Sequence, residues 1–118
     1  MSKIVKIAID AMGGENSPKK VIDGILTSLK SNSENYFYLF GNESKIKKEL
    51  DKNKSLNKHC EIINTESVIS DDEGPLTAAK KGKNSSMWKA IEAQKESNCH
   101  ISLSAGNTGA LLIISKLI

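Results

Sequence analysis

Ile4-Val5-Lys6-Ile7-Ala8-Ile9-Asp10-Ala11-Met12-Gly13-Gly14-Glu15-Asn16-Ser17-Pro18 decides the fold. Its first six residues are a short run, mostly β-branched and apolar apart from one lysine, which reads as a buried strand. The strand ends at Asp10 and runs into a glycine turn. Ser17 then offers an N-cap and Pro18 a first-turn proline, because a proline at that position gives up no needed hydrogen bond. Val21, Ile22, Ile25, Leu26 and Leu29 follow at helical spacing and make one apolar stripe facing a sheet.

The same alternation continues outward. Tyr36 to Phe40 reads as a second strand closed by Gly41, and Glu43 to Lys52 as a short surface helix with Ile46 and Leu50 inward. Cys60-Glu61-Ile62-Ile63 is a third strand. Asp71-Asp72-Glu73-Gly74-Pro75 is a turn that launches a helical piece at Leu76. Asn84-Ser85-Ser86 caps another helix, with Met87, Trp88 and Ile91 on its inner face. Ile101-Ser102-Leu103-Ser104 is a fourth strand that breaks into Ala105-Gly106-Asn107-Thr108-Gly109, where a final apolar helix begins. Strands alternating with helices predict an α/β fold with a largely parallel sheet. The last helix carries Leu111, Leu112, Ile113, Ile114, Leu117 and Ile118 and stops without a cap or glycine. A helix this apolar is expected to be sandwiched inside a larger fold. Residues 1–118 are therefore expected to be the N-terminal part of a single α/β domain.

Composition narrows the function. Of the 118 residues, 38% are hydrophobic and 26% charged, a globular rather than disordered balance. Lys+Arg 17 against Asp+Glu 14 gives a net charge of +3, and only 4% of residues are aromatic. The lysines are scattered, so the basic stripe with stacking aromatics that nucleic acid favours is missing. The start shows no signal-peptide pattern, and Cys60 and Cys99 sit in no close-spaced redox or metal motif, so a reducing cytoplasm is the expected compartment. The longest apolar run, Ala110 to Ile114, is far short of the about 20 residues a membrane span requires.

Ligands of open α/β sheets bind beyond the carboxyl ends of strands. Two glycine turns lie there. At Asp10, Gly13 and Gly14 the backbone is open to close approach, and a helix N-terminus follows with unpaired N–H groups and partial positive charge. The same pattern also suits a plain tight turn with Asp10 bonding nearby amides. At Ser104-Ala105-Gly106-Asn107-Thr108-Gly109 two glycines bracket an amide and a hydroxyl at a helix start, a set of donors that suits a phosphate or an oxyanion. A capped helix with Thr108 bonding its own backbone fits as well. Lys80-Lys81-Gly82-Lys83-Asn84-Ser85-Ser86 places cations and hydroxyls at another helix start, suited to phosphate or to a solvated basic loop. Among weaker candidates, His59-Cys60 and Cys99-His100 offer at most one convergent ligand per pair, since neighbours on a strand point to opposite faces. Asp71, Asp72 and Glu73 suit a divalent cation or a solvated acidic turn. Neither GxGxxG nor GxxxxGK[ST] occurs.

Taken together, these segments resemble the phosphate acyltransferases of bacterial phospholipid synthesis, the PlsX family. The resemblance rests on Ile9-Asp10-Ala11-Met12-Gly13-Gly14-Glu15 with Ser17-Pro18-Lys19, on Asp72-Glu73-Gly74-Pro75, on Lys83-Asn84-Ser85-Ser86-Met87, and on Ser104 to Ala110, in that order. Glu15 stands where the family carries Asp, Gly74 adds a residue before Pro75, and Gly82 replaces a basic residue. The resemblance implies a three-layer α/β/α catalytic domain with a mostly parallel sheet, like that of isocitrate and isopropylmalate dehydrogenases, of which this chain is a truncated N-terminal part. It implies reversible transfer of a fatty acyl group from acyl carrier protein to inorganic phosphate, giving acyl phosphate for phospholipid synthesis, with no metal and no cofactor. It implies a homodimer and a cytoplasmic enzyme, peripheral at the membrane beside a glycerol-3-phosphate acyltransferase.

Under that resemblance Gly106, Asn107, Thr108 and Gly109, with Ser104, belong to the phosphate and oxyanion cradle, Asn107 and Thr108 being catalytic. Asp10, Gly13 and Gly14 form the opposing turn, and Asn84, Ser85 and Ser86 meet the acyl thioester or its pantetheine arm. An inactive truncated remnant and a coenzyme A-dependent phosphotransacylase are the alternatives. Asp-Ala-Met-Gly-Gly argues against the latter.

Overall fold

A computed structural model describes residues 4–70, 72–96 and 98–118. Four strands, β1 (Lys6–Asp10), β2 (Tyr36–Gly41), β3 (Cys60–Asn64) and β4 (Ile101–Ser104), form one sheet in the order β3-β2-β1-β4, parallel throughout. Among the described residues the α-helices are α1 (Lys19–Ser31), α2 (Glu43–Leu50), α3 (Pro75–Lys81), α4 (Ser86–Lys95) and α5 (Thr108–Leu117). The expected α/β class and parallel sheet are what the chain adopts.

Each element follows from its local sequence. β1 is buried along Ile7, Ala8, Ile9 and Asp10, as a central strand covered on both faces should be. Its two faces feed two cores. Ile7 and Ile9 pack with Ile22 and Ile25 of α1, Phe37 and Leu39 of β2, and Ile46 and Leu50 of α2. Ala8 points the other way, with Phe40, Ala90, Ala93 and Cys99, where small side chains let α4 lie close to the sheet. A third cluster joins Ala78, Met87, Trp88, Ile91, Ala110 and Ile114 of α3, α4 and α5.

Two details depart from the sequence reading. α1 begins at Lys19, flanked by Pro18 with no side-chain cap, and the Ser17 hydroxyl instead donates to the Gly13 carbonyl at 2.6 Å. A 3₁₀ turn over Lys54–His59 buries Leu56 beneath β3, where no periodicity announces it. The last helix starts at Thr108, within the glycine-bracketed turn where its beginning is expected.

The topology places the site. From β1 the chain moves outward through β2 to β3, then crosses back to the other side of β1 to form β4. Strand order therefore reverses between β1 and β4, and their carboxyl ends flank the crevice where open α/β sheets bind ligands. β4 is also a sheet edge, and Ile101 and Leu103 remain 44% and 51% exposed. Among the described residues no helix is long and apolar enough to cross a membrane.

Candidate active site

Asp10 ends β1 only 2% exposed. A buried carboxylate is costly unless its oxygens find donors. Four are supplied. The N–H groups of Met12 and Gly13 donate to Oδ1 at 3.1 Å each, and the Ser86 hydroxyl donates to the same oxygen at 2.5 Å. The Ser104 hydroxyl donates to Oδ2 at 2.7 Å and in turn accepts from the Gly106 N–H at 3.1 Å. One side chain thus ties its own turn, the start of α4 and the end of β4 into one knot.

The two glycine turns touch back to back. A Cβ built on Gly13 would fall 2.6 Å from Asp10 Oδ2 and 2.9 Å from the Gly106 nitrogen, so no larger residue fits between carboxylate and turn. Gly14 has φ +83, and a Cβ there would meet the Ala105 carbonyl oxygen at 2.8 Å. Left-handed backbone pressed against a neighbouring strand end is a position for glycine. On the far side Pro75 of α3 closes over Gly109, where a Cβ would meet Pro75 Cγ at 2.5 Å.

Asn107 is the N-cap of α5. Its side-chain oxygen accepts from the Ala110 N–H at 3.0 Å, and its Nδ2 donates to the carbonyls of Glu73 at 2.9 Å and Ser70 at 3.2 Å. The side chain is committed to holding Ser70 and Glu73 against α5. The Leu111 N–H also bonds back to the Asn107 carbonyl. The N–H groups of Thr108 and Gly109 therefore have no partner among the described residues, nor does the exposed Thr108 hydroxyl.

The third segment divides. Ser85 caps α4, accepting from the Trp88 N–H at 3.1 Å and donating to the Gly82 carbonyl at 2.5 Å. Ser85 and Ser86 are both fully buried, and only Asn84 of the three keeps an exposed side chain. Asp10, Gly13, Gly14, Ser86, Ser104 and Gly106 are thus brought together. Thr108 and Gly109 begin α5, and Asn84 and Ser85 directly precede Ser86 at the start of α4. The sequence reading missed Asp10 as the hub, since its partners Ser86 and Ser104 lie 76 and 94 residues away.

The metal candidates do not converge. β3 and β4 occupy opposite edges of the sheet, which separates His59-Cys60 from Cys99-His100 by the width of two strands. His100 Nδ1 accepts from the Lys6 N–H at 2.9 Å. Burial pushes the Cys60 thiol up to about 11, and burial likewise raises Cys99, which keeps both as neutral thiols. Asp71 lies outside the described residues, and among those described no cluster of three metal-ligating side chains occurs.

A family model described as "Fatty acid synthesis protein" matches residues 5–118. The chain belongs to this family. A protein named phosphate acyltransferase from Pelagibacter ubique is 52% identical over 117 residues, covering 99% of this chain and 34% of its own length. Phosphate acyltransferases from Phenylobacterium zucineum and Caulobacter vibrioides are 39% and 42% identical over 118 residues, all of this chain and 34% and 33% of theirs. The chain thus spans about a third of the length of the curated relatives it matches.

Proposed function

We propose that this chain supplies the phosphate-holding part of an enzyme that moves a fatty acyl group from acyl carrier protein to inorganic phosphate, reversibly, for phospholipid synthesis. The observation that carries the reading is the meeting of the two strand-end turns at the β1/β4 reversal. There the Asp10 knot fixes the backbone while Thr108 and the first turn of α5 keep donors turned outward.

In this reading a phosphate dianion accepts from the N–H groups of Thr108 and Gly109 and from the Thr108 hydroxyl, at the positive end of α5. One phosphate oxygen attacks the thioester carbonyl carbon. The tetrahedral intermediate collapses with cleavage of the C–S bond, the acyl group leaves on phosphate, and the thiolate takes up a proton to become the free carrier thiol. Positioning and oxyanion stabilisation are the contributions this chemistry requires. Asn107 acts by orienting the first turn of α5, Asp10 by orienting both turns. Asn84 is the exposed member of its segment left to meet the pantetheine arm. No metal or organic cofactor takes part. The enzyme is a cytoplasmic homodimer in this reading and works beside the membrane-bound acyltransferase that consumes its product.

Phosphate titration of the 118-residue chain followed by amide NMR tests the cradle directly. Saturable shifts are expected at Thr108, Gly109 and Gly106. Shifts that are absent there, or that appear equally with chloride, refute it. Formation of acyl phosphate, trapped as hydroxamate, is then measured in a full-length relative with alanine at the residue matching Thr108. An about tenfold rise in the KM for phosphate is expected from losing one hydroxyl donor.

A further inference from the structure

Beside the glycine turn, the start of α1 and the outer side of α2 enclose an open cleft of about 610 Å³. Its charged lining is Lys19, Lys20, Lys45 and Lys48 against Asp23 and Glu49. The two acids are already matched. Asp23 pairs with Lys19 at 2.8 Å, and Glu49 with Lys52 at 3.0 Å. Among the described residues Lys20, Lys45 and Lys48 have no acidic partner, so the cleft carries uncompensated positive charge. It also borders the site. A Cβ on Gly14 would meet Lys20 Nζ at 2.7 Å and the Ala105 carbonyl oxygen at 2.8 Å, which sets this lysine where the β1 turn meets the β4 turn.

We infer that the cleft between α1 and α2 is the docking surface for an acidic face of the protein that carries the acyl group. The inference rests on the proposed reading for the existence of a protein-borne acyl donor, and it adds where that donor binds. Uncompensated charge at the rim of a site steers an opposite surface and fixes its register. The cleft is concave, and none of the exposed large hydrophobics lies in its lining. A membrane-facing patch would pair its cations with apolar side chains to insert. A tether leaving a partner seated here would begin next to Lys20 and Gly14, which abut Ala105 in the turn that leads into α5.

The test is calorimetric titration of the 118-residue chain with an acyl carrier protein lacking its prosthetic arm, at low and at high salt. Without the arm, no thioester or acyl contact contributes. Lys45→Glu/Lys48→Glu is compared with Lys58→Glu/Lys95→Glu, which makes the same change of net charge away from the cleft. Circular dichroism checks that both variants keep the fold. Binding that weakens with salt, and at least about tenfold more in the first variant than in the second, is expected. Amide shifts in the unmutated chain should gather on α1 and α2. Equal losses in both variants, no binding by the unmutated chain, displacement of the carrier by free coenzyme A, or preference for anionic lipid vesicles would each overturn the assignment. Phosphate titration separates this from the reading beneath it. Carrier binding without phosphate shifts at Thr108 sinks the cradle and spares the cleft, and the reverse result does the opposite.

Discussion

The two glycine turns stand side by side at the same end of the sheet, yet they spend their polar groups differently. The turn after β1 is consumed internally: Asp10 takes four donors, Gly13 leaves no room for a Cβ, and Ser17 closes back on Gly13. The turn after β4 spends Ser104, Gly106 and Asn107 on structure and leaves Thr108 facing outward. A donor set meets a small anion well only if its backbone does not have to reorganise. The inward turn supplies that rigidity and the outward turn uses it. Substitutions should therefore split into those that cost stability and those that cost only binding.

The largest effect is expected at Asp10. Asp10→Ala leaves two hydroxyls and two N–H groups in a buried space without their acceptor, each unsatisfied group costing about 1–3 kcal/mol. A loss of about 3 kcal/mol or more in urea unfolding is expected. Asp10→Asn keeps one acceptor oxygen for Met12, Gly13 and Ser86, and should cost about half as much. Equal costs for the two variants would show that shape rather than hydrogen bonding holds the knot.

Gly13→Ala comes next. Its Cβ would overlap Asp10 Oδ2 and the Gly106 backbone, neither of which is a flexible tip that can swing away. Overpacking of this kind costs about 1–3 kcal/mol. Because the displaced atoms belong to both turns, the phosphate-induced shifts at Thr108 should weaken together with the unfolding midpoint. A destabilised variant with undiminished phosphate shifts would break the link between the turns.

The elements were legible wherever one local rule decided them. The β-branched run into Asp10, the Val21-to-Leu29 stripe, the inward Ile46 and Leu50, and the Ser85 cap all rest on neighbours within a few residues. The knot was not legible, because it depends on strand order. Nothing in the spacing of Asp10, Ser86 and Ser104 says that β4 returns to lie against β1. For the same reason serines at 85 and 86 suggested ligand contacts, whereas tertiary packing buries both and turns Ser86 toward Asp10. Asn107 was legible as a polar residue before a helix. Its reach to Ser70 and Glu73 required the fold.

Asn107 lies between the two kinds of group. Asn107→Ala removes the cap of α5 and two bonds to the Ser70 and Glu73 carbonyls, and caps of this type are worth about 1 kcal/mol. About 1–2 kcal/mol of destabilisation is expected. Asn107→Asp should recover the cap, because its carboxylate still accepts from the Ala110 N–H, but not the ties to the Ser70 and Glu73 carbonyls. If Asn107→Asp unfolds at the same urea concentration as the unmutated chain, those two bonds contribute nothing to stability.

The smallest change in stability should accompany the clearest change in binding. The Thr108 side chain is exposed and bonds nothing among the described residues, so Thr108→Ala should shift stability by no more than about 0.5 kcal/mol. Thr108→Ser retains the hydroxyl and should keep most of the phosphate response, whereas Thr108→Ala should weaken phosphate binding by about fivefold to tenfold, the worth of one hydrogen bond to a charged group at a partly solvated site. The serine control matters because threonine also lends α5 a β-branched first residue, and serine lacks that branch while keeping the oxygen. Should alanine and serine weaken phosphate equally, the methyl and its restraint on the first turn would be what Thr108 contributes, and the outward turn would bind through its backbone alone.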